Sequence, residues 1–167
     1  MPYQCLRLLY LAMADSVIGY GLSSYGRTYK THLNNIYVLQ IRLLKCIVPK
    51  GIKSKNKDNN YRELFKFCKV MPVNRKIQLN ILKDEDVNKC TLQRYVRPAN
   101  LRAPSKPRFL LPMCKNFNAK RTSKYLIPKI LNGLPTELQE EYINNVKNCI
   151  KHIKANLMSS KDDGYVL

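Results

Sequence analysis

The sequence predicts a mainly α protein: a small helical bundle, then a proline-rich basic segment, then two C-terminal helices. Three observations carry that expectation. Apolar residues recur every three or four positions through residues 1–91 and again after Ser123, the period of helices with one buried face. Only one run, Arg108 to Cys114, has any strand character. Five of the nine prolines (Pro98, Pro104, Pro107, Pro112, Pro128) fall between residues 92 and 128, where a fixed φ and a missing N–H work against regular structure. The expected division is therefore 1–91 for the bundle, 92–122 for an irregular basic arm, 123–159 for a C-terminal helical pair and 160–167 for a disordered tail.

The first helix should run from Gln4 to Gly19 or a little beyond, with Leu6, Leu9, Tyr10, Met13, Val17 and Tyr20 forming its apolar face. Gly19, Gly21 and Gly26 then make continued helix costly. The run Leu8–Ala14 ends in small residues like a signal peptide, but its helical spacing reads as an amphipathic helix, and the expected location is intracellular, nuclear or cytoplasmic. A second helix should start near Thr31 as N-cap and continue through Leu33, Ile36, Tyr37, Gln40, Leu44 and Ile47 until Pro49 and Gly51. Gln40 interrupts that apolar stripe. A buried amide without partners costs about 1–3 kcal/mol, so it should tie the helix to neighbouring backbone.

Residues 49–60 read as a mobile loop, rich in Lys, Asn, Ser and Gly. Behind Asn60 as a cap, Tyr61, Leu64, Phe65 and Cys68 trace one face of a short helix. A turn at Met71-Pro72 leads into another, with Val73, Ile77 and Ile81 inward and fraying at Asp84-Glu85-Asp86. Beyond the arm, a helix fits Ser123 to Asn132 with Gly133 at its C-terminal cap. Thr136 and Gln139 have the spacing of a capping box opening the last helix, whose inward face would be Leu138, Tyr142, Val146, Cys149, Ile150 and Ile153.

Charge is the functional signal. The formal net charge is +19, and residues 92–135 hold ten Lys and Arg with no Asp or Glu. Such a segment is drawn to polyanions, and aromatics among the cations (Tyr95, Phe109, Phe117, Tyr125) favour an RNA or DNA backbone, since bases stack on them. A membrane partner is not expected, because no apolar run approaches the ~20 residues that span a bilayer. Zinc and other cofactors are not expected either: the six cysteines are widely spaced, no Cys-x-x-Cys occurs, and His32 and His152 lie apart from any cysteine cluster. The acidic groups Asp84-Glu85-Asp86, Glu140-Glu141 and Asp162-Asp163 fall at helix ends, on a polar face or in the tail, which does not suit two-metal phosphoryl transfer. No glycine-rich phosphate loop is present, so the chain is not expected to be an enzyme on its own.

One block reads Leu8-Leu9-Tyr10 through Asp15-Ser16-Val17-Ile18-Gly19-Tyr20-Gly21, then Tyr25-Gly26 and Leu39-Gln40-Ile41-Arg42-Leu43-Leu44-Lys45-Cys46-Ile47. Further along come Glu63-Leu64-Phe65, Met71-Pro72-Val73, Tyr95-Val96-Arg97, and Tyr125-Leu126-Ile127-Pro128-Lys129-Ile130-Leu131-Asn132-Gly133-Leu134-Pro135. In this order, from about Leu6 to Leu157, they resemble the region after the palm in reverse transcriptases of non-LTR retrotransposons, the jockey type above all. Tyr25 and Leu131 stand where that family carries tryptophan, and the aromatic-x-Asp-Asp hairpin of the palm is missing.

The resemblance implies a thumb and C-terminal region: a helical, thumb-like bundle that grips template-primer duplex behind a catalytic centre located elsewhere. Gripping a duplex is a backbone task that needs cations rather than sequence readout. On that footing Arg27, Lys30, Arg42 and Lys45 would flank the duplex, and Arg94, Arg97, Arg102, Lys106, Arg108, Lys120, Arg121 and Lys124 would track a strand. A palm-bearing polymerase chain is the partner implied. The alternatives are a helical protein-interaction module docking an acidic partner and a decayed transposon remnant without function.

Overall fold

Helices make up most of the computed structural model, which describes residues 2–49, 61–84, 92, 94–95 and 108–159; the chain is mainly α. It divides into two compact units, Met1–Ile77 and Gln78–Leu167. The boundary falls inside a helix, whereas the change in composition follows residue 91.

The first unit begins with α1 (Tyr3–Tyr10), a π-helical turn (Leu11–Asp15) and α2 (Ser16–Tyr20), followed by α3 (Leu22–Tyr25). Beside the widened turn the Ser16 hydroxyl donates to the carbonyls of Ala12 and Met13. The apolar face expected to point inward does not. Tyr10 is buried, but Met13, Val17 and Tyr20 are 63%, 73% and 94% exposed, and Leu9 is exposed too. Leu11 and Ala14 pack against the core instead. This helix carries two apolar stripes, and the π turn, with one more residue than an α turn, shifts the phase that a 3.6 period assumes.

Helix α4 (Lys30–Ile47) starts one residue before the expected cap; Thr31 lies in its first turn and no side chain caps it. Gln40, fully buried, ties it to its neighbours as the sequence implied. Its Nε2 donates to the Tyr10 hydroxyl at 3.1 Å and to the Met71 carbonyl at 3.1 Å, and its Oε1 accepts from the Val73 N–H at 2.9 Å. A hydrophobic core cluster of this unit gathers Tyr10, Ile41, Leu44, Val48, Leu64, Phe65, Cys68 and Val70. Burial pushes the Tyr10 hydroxyl up to about 12, against the Gln40 hydrogen bond, which acts the other way.

Gly26 is required by a close approach. A Cβ there would lie 2.3 Å from the Leu22 carbonyl oxygen and 3.2 Å from Ile77 Cγ2. Helix α5 (Arg62–Cys68) closes with Lys69 N–H donating to the Lys66 carbonyl and Val70 N–H to the Phe65 carbonyl, both at 3.1 Å. This double closure is a Schellman motif, and Lys69 occupies its left-handed position at φ 52°. An ion pair between Lys76 and Asp15 joins α6 (Val73–Asp84) to the π turn. The expected loop at 49–60 and the Asn60 cap lie, from residue 50 on, outside the described residues, as does the tail from residue 160.

The second unit takes the rest of α6, a two-residue antiparallel pair of β1 (Arg94–Tyr95) with β2 (Arg108–Phe109), a 3-10 turn (Ala119–Arg121), and helices α7 (Ser123–Asn132), α8 (Thr136–Asn144) and α9 (Val146–Ser159). Strand character in 108–114 is thus confined to Arg108 and Phe109. The Asn132 side chain extends that edge like a further strand: the Phe109 N–H donates to its Oδ1 at 2.8 Å, and its Nδ2 donates to the Phe109 carbonyl at 3.0 Å. Tyr142, fully buried, donates its hydroxyl to the Leu82 carbonyl at 3.0 Å.

The single last helix of the expected C-terminal pair is two helices. Asn145 is extended, with φ −153° and ψ 94°, and its carbonyl accepts from the Cys149 N–H to start α9. The break lets Cys149 Sγ reach the Leu138 carbonyl, 3.3 Å away on α8. The apolar face itself is as expected, with Tyr142, Cys149 and Ile153 buried. The capping box does not form. Pro135 holds the N-cap position, and Gln139 Nε2 donates back to the Leu134 carbonyl at 2.8 Å.

Candidate nucleic-acid interface

Among the described residues, cations gather where the 3-10 turn meets α7. Phe117 comes just before the turn, Lys120 and Arg121 lie on it, and Lys124, Tyr125 and Lys129 follow on the helix. Lys120 and Lys124 are exposed, while Arg121 and Lys129 are half-buried. Cations sit over rings at both ends of the group. The Arg121 guanidinium lies 5.5 Å from the Phe117 ring centre and Lys129 Nζ lies 5.8 Å from that of Tyr125. Phe117 is still 52% exposed, so its ring remains accessible.

The electrostatics agree with a crowded positive site. Lys129 has its pKa lowered, first by burial and then by the charge of Lys120. A bound anion would offset that repulsion at Lys129. Lys129 was not among the strand-tracking residues read from the sequence. Its position four residues after Tyr125, one helical turn away, was the signal that places it over that ring.

The remaining sequence candidates distribute as follows. Arg94 and Arg108 belong to the paired strands, with Arg94 opposite Phe109 and Arg108 opposite Tyr95. Arg97, Arg102 and Lys106 lie outside the described residues. In the first unit, Arg42 is exposed on α4, and Lys45 is half-buried with its Nζ 4.5 Å from the Tyr61 ring centre. Their surroundings are not strongly cationic: the exposed face of α4 around Arg42 carries Val38, Leu39 and Leu43.

His152 Nδ1 lies 2.7 Å from Glu141 Oε1, one turn along α9 from Cys149. The Cys149 thiol, however, is pushed up to about 11, by burial first and by the Glu141 carboxylate second, which is the reverse of thiolate activation. Among the described residues no three His, Cys, Asp or Glu side chains gather to hold a metal ion, and no helix is long and apolar enough to cross a membrane. No family model, curated protein or solved structure matches the chain.

Proposed function

We propose that this chain is a sequence-independent nucleic-acid-binding fragment of a non-LTR retrotransposon reverse transcriptase, gripping RNA or an RNA/DNA duplex by its backbone without a catalytic centre of its own. The observation that carries the reading is the cluster of Phe117, Lys120, Arg121, Lys124, Tyr125 and Lys129, which puts cations and rings on one turn and one helix. Cations neutralise phosphates whatever the base, and exposed rings stack on any base. The ordered resemblance from Leu6 to Leu157 supplies the assignment to a thumb region.

A second surface favours a protein partner. Leu9, Met13, Val17 and Tyr20 on the N-terminal helices are exposed, and so are Leu39 and Leu43 on α4. Where exposed apolar side chains form a contiguous patch, they mark a protein contact. In this reading a palm-bearing polymerase chain covers them, and the fragment contributes grip to an active site held by that partner.

The test is fluorescence anisotropy with a single-stranded RNA, an RNA/DNA duplex and a polyglutamate control over a salt series. The expected result is log affinity falling linearly with log salt, by roughly 0.7–0.9 for each phosphate contacted. A flat salt response, or equal affinity for polyglutamate, overturns the reading in favour of a module that docks an acidic partner.

A further inference from the structure

The first unit contains a pocket that the gripping of a strand by α7 does not use. It has a volume of about 370 Å³ and is lined by Tyr3, Gln4, Arg7, Leu8, Phe67 and Lys69. Two of these are cations and none is an acid. Arg7 is held in place: its Nε donates to the Cys68 carbonyl at 2.7 Å, and it has no other hydrogen-bond partner among the described residues. Its Nη donors are therefore left for a ligand, in the fork geometry that suits phosphate oxygens. The first turn of α1 borders the same space through Tyr3 and Gln4, adding the positive end of a helix dipole.

Lys69 supplies the second cation of the lining. It is the one non-glycine residue with positive φ among the described residues, at the Schellman position that glycine fills most easily. A left-handed lysine is strained, and the same backbone path would be easier with glycine. The third wall is aromatic. Tyr3 and Phe67 pack with ring centres 5.0 Å apart, and Phe67 is 39% exposed. The volume falls in the lower part of the roughly 300–1,000 Å³ range of small-molecule sites, larger than an inorganic anion needs.

We propose that this pocket binds a single nucleotide, its phosphate between Arg7 and Lys69 and its base against Phe67. The ligand is either a free mononucleotide or the 5′-phosphorylated end of a strand, which share this chemistry. The inference stands on the pocket and does not require the Lys120 cluster to bind anything.

Lys69→Gly is the decisive variant, because it removes the ammonium and relieves the backbone, so the fold is retained. Arg7→Ala would also release the Cys68 carbonyl and is the less clean probe. Isothermal titration of the full chain with AMP, with a 5′-phosphorylated tetranucleotide, with the same tetranucleotide bearing a 5′-hydroxyl, and with phosphotyrosine separates the sources. Expected is binding of AMP or of the 5′-phosphorylated strand at least tenfold tighter than of the 5′-hydroxyl strand, reduced at least tenfold in Lys69→Gly with Tm unchanged or raised. Binding by AMP identifies a free nucleotide, and binding by the phosphorylated strand alone identifies a strand end. Equal affinity of the parent chain and Lys69→Gly for every probe, or tighter binding of phosphotyrosine than of either nucleotide, overturns the proposal. If the pocket proposal fails while the salt slope of RNA binding persists, the grip assigned to α7 stands unaffected.

Discussion

The two compact units differ in what they do with positive charge. Residues 1–77 carry fourteen Lys and Arg against three acids, and residues 78–167 carry sixteen against eight, so the first unit has the larger excess. Yet several of its cations serve the fold or its pocket. Arg7 holds the Cys68 carbonyl, Lys76 pairs with Asp15, and Lys45 lies over Tyr61. Large apolar side chains also stand exposed along α2 and α4, among them Val17, Tyr20, Leu39 and Leu43. The second unit places Lys120, Arg121, Lys124 and Lys129 on one turn and its following helix, with two rings among them. Net charge predicts attraction to a polyanion, but the placement of charge decides where a strand can lie.

The largest expected effect tests that contrast. Replacing Lys120, Arg121, Lys124 and Lys129 together by alanine should lower the salt slope of RNA binding by about 3. Replacing Arg42 and Lys45 should lower it by no more than about 1, since the exposed face of α4 around Arg42 carries Val38, Leu39 and Leu43. Equal losses from the two sets, measured by anisotropy, would break the comparison.

Next in size is the core of the first unit. Gln40→Leu leaves the Val73 N–H, the Met71 carbonyl and the Tyr10 hydroxyl without their partner, at a cost on the order of 3 kcal/mol. Denaturant titration followed by hydrogen exchange should show the loss in Tyr3–Ile77 with little change in α7 to α9. In the second unit, Tyr142→Phe removes one buried hydroxyl from the Leu82 carbonyl and should cost about 1–2 kcal/mol, read the same way.

The smallest effect is alkaline. Both Cys149 and Tyr10 have folded pKa values above their ordinary ones, 9.0 raised to about 11 and 10.0 raised to about 12. Between each pair of values the unfolded chain has lost a proton that the folded chain keeps, so stability is fully present below the lower value and falls as pH rises. The second unit should therefore begin to weaken near pH 9 through Cys149, and the first should begin in the same range, because burial also raises the Cys68 thiol above 9.0, and continue through Tyr10, both followed by hydrogen exchange. Cys149→Ser should remove the loss near pH 9 from the second unit and leave that of the first.

Much of the helical order is legible in the sequence because it depends on local signals. The stripes of Leu33, Gln40 and Leu44, of Leu64, Phe65 and Cys68, and of Val73 and Ile77 all became buried faces, and Pro49 and Gly133 lie just beyond the ends of their helices. The cationic turn was legible as charge and aromatic content. Lys129 was missed, although its spacing of four from Tyr125 is a helical one, because the same spacing occurs for many pairs and only the structure shows the ammonium over the ring. The pocket at Lys69 was illegible for a stronger reason: Arg7 and Lys69 lie more than sixty residues apart in the chain.

By itself, then, the order of residues determined a mainly α chain with a proline-broken basic segment, since helix period, proline geometry and the absence of acids act over a few neighbours. Tertiary structure decided which of two apolar stripes on the N-terminal helices turned inward, because Tyr10 is chosen by Gln40, thirty residues away, and not by its own neighbours. It also decided that Asn145 would interrupt the last helix, where folding α9 back along α8 lets Cys149 reach Leu138. Packing selects among faces that local propensity leaves nearly equal.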